Sequence, residues 1–405
     1  MKQIFLLFAV WLSATTLANA QGTLTFAPLA ALPGGGRYGM GYCQDVDAIY
    51  MVGGGGSASA FNADVYRYSL QSNSWQPGSA STTLTPQRWT SAAVPVLGTA
   101  QSYIYVLNGA SAAGSPVVNM ETVFTSNGTQ GPGYANVLPA SNAGVATWNG
   151  LLYAFGGQLA GGAFTSQLRA FDPVANTWTT LAPMPEAKTG YGAAMNGKIY
   201  AIGGYNGLIN SARVDAYDIA TNTWQALGTL PTTVSNQAVA VQGEWLWLVG
   251  DFTNQSYLAA YNTRTAQVRT FTSNLPPRRN AAAAFRNNRL YVWGGNTASA
   301  NSSTLADMWS VDVSAVLGTH AEMASALNLH AYPNPSNGGL TTLTLPTGTR
   351  TVAVFDALGR TVLSVAPAAN ATTLPLDLRA QPAGLYVVRV RTANGRAASC
   401  RVVRE

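Results

Sequence analysis

Basic residues recur at one place in a repeating pattern. Arg37, Arg88, Lys188, Arg278 and Arg279 each stand a short way ahead of an apolar run that ends in paired small residues. Guanidinium and ammonium groups gathered on one surface could hold a carboxylate or a sulfated sugar through charge-assisted hydrogen bonds. Tyr38, Trp89 and Tyr191 lie directly after or near them, and flat aromatic faces beside cations suit a sugar ring. The same side chains could instead pack their own loops, and both readings stand at this point.

Chemistry beyond binding has little support. A nucleophile needs a general base, yet the only histidines are His320 and His330, both close to the C-terminal segment. Imidazole-based metal sites are equally unsupported, so no catalytic residue, metal or cofactor is assigned. Asp172, Asp215 and Asp218 fall at strand ends or turns, where carboxylates bond neighbouring backbone. Glu121, Glu186 and Glu244 are not in equivalent positions, so spacing does not point to a glycosidase-like carboxylate pair.

The elements that position these residues are repeats. Gly53-Gly54, Asn108-Gly109, Gly156-Gly157, Gly203-Gly204, Gly250-Asp251 and Gly294-Gly295 each close a short apolar strand, at intervals of 44 to 55 residues. Such a period means blades or solenoid turns. After each pair a polar loop leads to a further strand and turn, as in Tyr217-Asp218 followed by Trp224, or Tyr68 followed by Trp75. Four strands per period make a propeller blade. The glycines are read as backbone devices, and the repeated Tyr and Trp as filling between blades.

The Gly-Gly, Tyr, Trp series resembles Kelch repeats over residues 23–316, most closely in the third and fourth copies. The resemblance implies an all-β, six-bladed propeller in which the basic loops share one face around the channel mouth. Kelch proteins carry arginine here as a binding residue in some cases and a loop-packing residue in others. Residues 23–33 read like the last strand of the third blade, residues 177–185, and are expected to complete the sixth blade and so cover an open sheet edge.

At the N-terminus, Lys2, the apolar run 4–12 and Ala18-Asn19-Ala20 form a signal-peptide pattern with cleavage before Gln21. Charge is unevenly spread: residues 21–327 hold 13 Lys and Arg against 13 Asp and Glu, whereas residues 328–405 hold 8 Arg against Asp356, Asp377 and Glu405. The large domain lacks the dense basic stripe that nucleic acid requires. Cys43 and Cys400 make no disulfide framework, and Cys43 reads as a small buried strand residue.

After a linker at 317–327, a small β-sandwich is predicted for 328–405. The motifs Tyr332-Pro333-Asn334-Pro335 with Gly338, Asp356 with Gly359 and Arg360, and Gly384 with Tyr386 occur in an order that resembles the type A sorting domain of type IX secretion, an Ig-like module. The resemblance implies that the secretion machinery is a partner of the tail. It also implies that the protein passes the periplasm and outer membrane, and that the tail is usually removed, leaving cargo released or attached to surface lipopolysaccharide.

The expected function is a secreted or surface propeller, monomeric, that binds a glycan or an extracellular protein through one loop face. The alternative is a metal-independent carbohydrate-active enzyme such as a Kelch-type sialic-acid mutarotase. Copper chemistry of the galactose oxidase kind, which needs histidine ligands, is expected to be absent.

Overall fold

Local turn chemistry builds the sheets. Asn196 and Gly197 both adopt positive φ, 52° and 75°, the geometry of a two-residue hairpin turn that matches strand twist. They fold Gly192–Met195 back on Lys198–Ile202. Asn149-Gly150 and Asn287-Asn288 do the same in other repeats. Lys198–Ile202 is almost wholly buried, as expected of an inner strand with sheet packed on both faces. Ser211–Asp218 and Thr223–Val234 then complete a four-stranded antiparallel meander.

The computed structural model describes residues 22–45, 48–56, 61–77, 84, 91–93, 103–111, 114–125, 128–297, 303–316, 329–346, 348–356, 360–368, 371–392 and 397–405. The expected signal peptide, Arg88, Trp89, Gly359 and the linker lie outside these residues. The chain divides into two compact units, Met1–Val313 and Ser314–Glu405.

Six four-stranded sheets are described in the first unit. Their innermost strands are Gly41–Gln44, Ser91–Ala93, Gly144–Trp148, Gly192–Met195, Ala238–Gln242 and Ala282–Arg286. Each contacts the next in that order, and Ala282–Arg286 contacts Gly41–Gln44. The sheets therefore close into a propeller. Apolar cores lie between successive sheets: Ile202 and Val214 of the fourth pack with Leu248 and Tyr261 of the fifth. On the outer rim, Trp75, Trp178 and Trp224 donate to the carbonyls of Ala30, Ala135 and Ala182, each on the preceding sheet. The repeated tryptophan is thus a stitch between blades.

The seam differs in detail from the expected strand 23–33. Ala27–Pro28 pairs with Met308–Asp312 as the outermost strand of the sixth sheet, and Leu29 and Leu32 continue the contact through bonds to Met308 and Ala306. Thr23–Leu24 instead pairs in parallel with Thr272–Ser273. Asn274 separates the two stretches by bonding both the N–H and the carbonyl of Phe26.

The second unit is a sandwich of a three-stranded sheet (His330–Tyr332, Leu340–Thr344, Thr373–Asp377) and a four-stranded sheet (Thr361–Val365, Thr349–Phe355, Gly384–Thr392, Ala397–Arg404). Leu343 and Leu376 from one sheet pack with Val354, Val388 and Val402 from the other. Both cysteines are free thiols, each half-buried in a strand rather than fully buried.

Candidate functional site

Where four of the repeats enter their innermost strands, the chain turns sharply. Gly39, Asn142, Asn236 and Asn280 occupy equivalent positions with φ of 56°, 53°, 58° and 52°, a conformation open chiefly to Gly and Asn. Backbone bonds link these turns around the channel: Gly39 N to Asn280 O, Asn280 N to Asn236 O and Gly190 N to Asn142 O, at 2.8–2.9 Å. The preceding residue of each turn pairs with the residue that follows the small pair, as Tyr38 does with Gly55, Thr189 with Tyr205 and Arg279 with Asn296. The basic loops and the post-glycine loops therefore share one face of the ring.

Three of the basic residues face inward within their own blades. Arg37 is 2% exposed, and donates to Asp64 at 2.7 Å and to the Gly53 carbonyl at 3.3 Å. Arg278, fully buried, repeats the arrangement with Asp307 at 3.0 and 3.1 Å and with the carbonyls of Gly294 and Pro276. Burial pushes its guanidinium down while Asp307 pushes it back up. Lys188, 1% exposed, lies 3.3 Å from Glu186 and 3.4 Å from Ser211 Oγ. Burial lowers its ammonium against the pull of Glu186 and Asp215. The Glu186 carboxyl, which burial would raise, is held below its ordinary value by Lys188 and by bonds from Ser211 and Asn206.

Arg279 is different. It is 6% exposed, and among the described residues its guanidinium makes no ion pair or hydrogen bond. Its Nε is buried without a partner. The guanidinium lies 4.3 Å from the centre of the Phe252 ring, a cation–π arrangement worth about 1–2 kcal/mol. Burial lowers its pKa, and the nearby Asp251 carboxylate acts the other way. That carboxylate is already occupied by the N–H groups of Ser235, Thr253 and Asn254. Phe252 is 50% exposed. At the same place on the neighbouring sheet Tyr205 is partly exposed and meets Phe164 edge-on at 5.6 Å.

Tyr38 is buried against Gly55, where even a Cβ would meet its ring. Tyr191 lines the central channel, its phenol pushed up by burial. The channel encloses about 290 Å³ and is also lined by Tyr42, Asn142, Asn236, Gln237 and Asn280. Asn236 Nδ2 donates to Asn280 Oδ1 at 2.6 Å, and Asn280 Nδ2 to Asn296 Oδ1 at 3.0 Å. Among the described residues no group of three or more His, Cys, Asp or Glu is placed to hold a metal ion.

The family model described as Kelch motif matches residues 139–185 and 192–231. The model described as secretion system C-terminal sorting domain matches residues 330–404. The chain is a Kelch-repeat protein with a type IX sorting domain. The sorting domain implies export to the cell surface or secretion, with the secretion machinery as its partner.

In this Kelch protein the sorting motifs hold the sandwich together. Tyr332-Pro333 and Asn334-Pro335 are cis, and Asn334 clamps the C-terminal strand by donating to Arg401 O and accepting from Val403 N. Tyr332 itself is exposed. Gly338 takes φ of 78° in the following turn. Asp356 and Arg360 close a hairpin through side-chain and backbone bonds. Tyr386 is buried and donates from its hydroxyl to Pro382 O, while Gly384 begins the same strand.

Sequence reasoning named the basic residues without their partners. Asp64 and Asp307 could have been found, since each lies about 28 residues after its arginine and just before a repeat's third strand. Phe252 directly follows the one Asp in the small-pair series. Asn142, Asn236 and Asn280 carry a signal too, since each stands just before an inner strand, where blades one and four have glycine.

Proposed function

We propose that the propeller is a binding module that recognises an anionic glycan or an acidic protein partner outside the cell, through the loop face around Arg279. One observation carries this reading. Arg37, Lys188 and Arg278 are neutralised by Asp64, Glu186 and Asp307, whereas Arg279 is desolvated beneath an exposed aromatic ring with no carboxylate of its own. A buried cation left unpaired is costly, and an incoming carboxylate or sulfate would offset that cost while a sugar ring or side chain covers Phe252 and Tyr205.

On this reading Arg37, Tyr38, Lys188 and Arg278 set the loops, and Arg279 makes the contact; Tyr191 presents the channel mouth. The leader at 1–20 brings the chain to the periplasm and the tail takes it across the outer membrane. The test is a glycan-array screen of the full chain beside its Arg279→Gln and Phe252→Ala variants. Binding to acidic glycans that both variants lose supports the site. Binding to no sugar removes the glycan half of the reading, and binding that survives both variants removes the site.

A further inference from the structure

Directly opposed residues of antiparallel strands lie on the same side of a sheet. In the four-stranded sheet of the sorting domain, Val354, Val388 and Val402 turn into the core. The opposite side carries Phe355, Val387 and Arg401 in one cross-strand row and Arg389 in the next. Arg391 continues the same strand two residues further on, about 7 Å away by strand geometry.

Arg389, Arg391 and Arg401 are all exposed. Among the described residues none of their guanidinium groups makes an ion pair or hydrogen bond, although that of Arg389 lies over the Phe355 ring at 5.5 Å. Elsewhere in the domain both aspartates are taken: Asp356 by Arg360 and Asp377 by Arg379. Three of the segment's 8 Arg, none of them paired through its side chain among the described residues, thus share this face. At the other end of the central strand, Leu385 is exposed beside Val387. The face is cationic at one end and apolar at the other.

We propose that this sheet face docks on the phosphate-bearing headgroups of an anionic membrane. Arginines rooted about 7 Å apart along one strand, with a third on the neighbouring strand, present several separate cations that can each meet one charge of a laterally repeated array. Clustered Arg and Lys near an anionic bilayer each add to the attraction, and exposed Leu385 suits the boundary between headgroup and hydrocarbon. The propeller segment, with equal numbers of acidic and basic residues, adds no net attraction.

The experiment is co-sedimentation of the full chain with large phosphatidylcholine vesicles, with and without phosphatidylglycerol, at low and high salt. The full chain pellets with phosphatidylglycerol vesicles at low salt and is released by high salt. The Arg389→Gln, Arg391→Gln, Arg401→Gln triple variant binds on the order of 100-fold more weakly. The corresponding lysine triple variant, which keeps the charge, keeps most of the binding. Failure of the full chain to bind anionic vesicles at low salt overturns the proposal and points to an acidic protein as the occupant. Equal binding by the glutamine variant, or loss of binding in the lysine variant, overturns it as well.

Discussion

Tyr42 and Val239 stand 197 residues apart, yet one phenol hydroxyl joins them: it donates to Val239 O at 3.3 Å and accepts from Val239 N at 3.2 Å. Val239 belongs to the innermost strand of the fifth sheet and Tyr42 to that of the first. An innermost strand has one edge facing the channel, where its N–H and C=O groups lack a strand partner. Tyr42 supplies both bonds from across the ring.

Tyr42→Phe is expected to lower stability by about 1–3 kcal/mol, since two backbone groups lose a partner in a confined space. Urea denaturation should show a lower midpoint with the slope unchanged. An unchanged midpoint would mean that channel water replaces the hydroxyl.

Neighbouring arginines should behave in opposite ways. Arg278→Leu strips Asp307 and two carbonyls of a buried partner, and a loss of about 2–4 kcal/mol follows, below the upper end because Asp307 is partly exposed. Arg279→Gln removes a desolvated, unpaired charge together with its contact to the Phe252 ring; the two effects oppose each other, so the net change should stay within about 1 kcal/mol. Thermal unfolding of the two variants side by side decides; a comparable loss in both makes Arg279 a packing residue.

Glycines in the repeat are not equivalent. Gly250 has φ of 71°, and a Cβ there would lie 2.1 Å from Arg278 O, so Gly250→Ala should cost well over about 1 kcal/mol from strain and clash together. Gly243 has φ of 59° but opens onto free space, and Gly243→Ala should cost about 1 kcal/mol. Denaturation midpoints separate them.

Acid should weaken both units. Glu186 is held below its ordinary 4.5, and Asp377, bonded by Arg379, falls from 3.8 to about 2. Carboxyls with depressed folded-state values bind more protons when unfolded, so their contribution is complete above the ordinary value and disappears as pH falls through the folded one. For Asp377 that window runs from 3.8 down to about 2. Melting curves across this range should fall, and Asp377→Asn should flatten the decline of the sorting-domain transition without moving that of the propeller.

The propeller was legible because its signals are local. A pair of small residues after an apolar strand recurs in every copy, and a Trp seven residues after a Tyr or Phe marks the outer strands of three of them. The sandwich was legible in part: Leu340–Thr344 and Gly384–Thr392 read clearly, but His330–Tyr332 and Thr373–Asp377, which pair on either side of Leu340–Thr344, are short or contain proline. The site was less legible because charge neutralisation is a tertiary fact. Arg278 and Arg279 are adjacent and of one type, yet the loop places one beside Asp307 and the other over Phe252. Periodicity places residues on a loop, but it does not say which way each side chain turns.

The closing segment at residues 27–32, with its strand Ala27–Pro28, has a kinetic consequence. Five of the sheets are built from consecutive segments, but the sixth needs residues 27–32 and residues 306–312 together. A chain emerging from a ribosome or a translocation pore can thus assemble most of its blades while the last keeps an unfilled slot. Joining residues almost 300 positions apart demands a large loop closure, which favours slow completion. The ring locks only when the whole propeller segment has arrived, so an exported chain stays open for as long as its far end is still in transit.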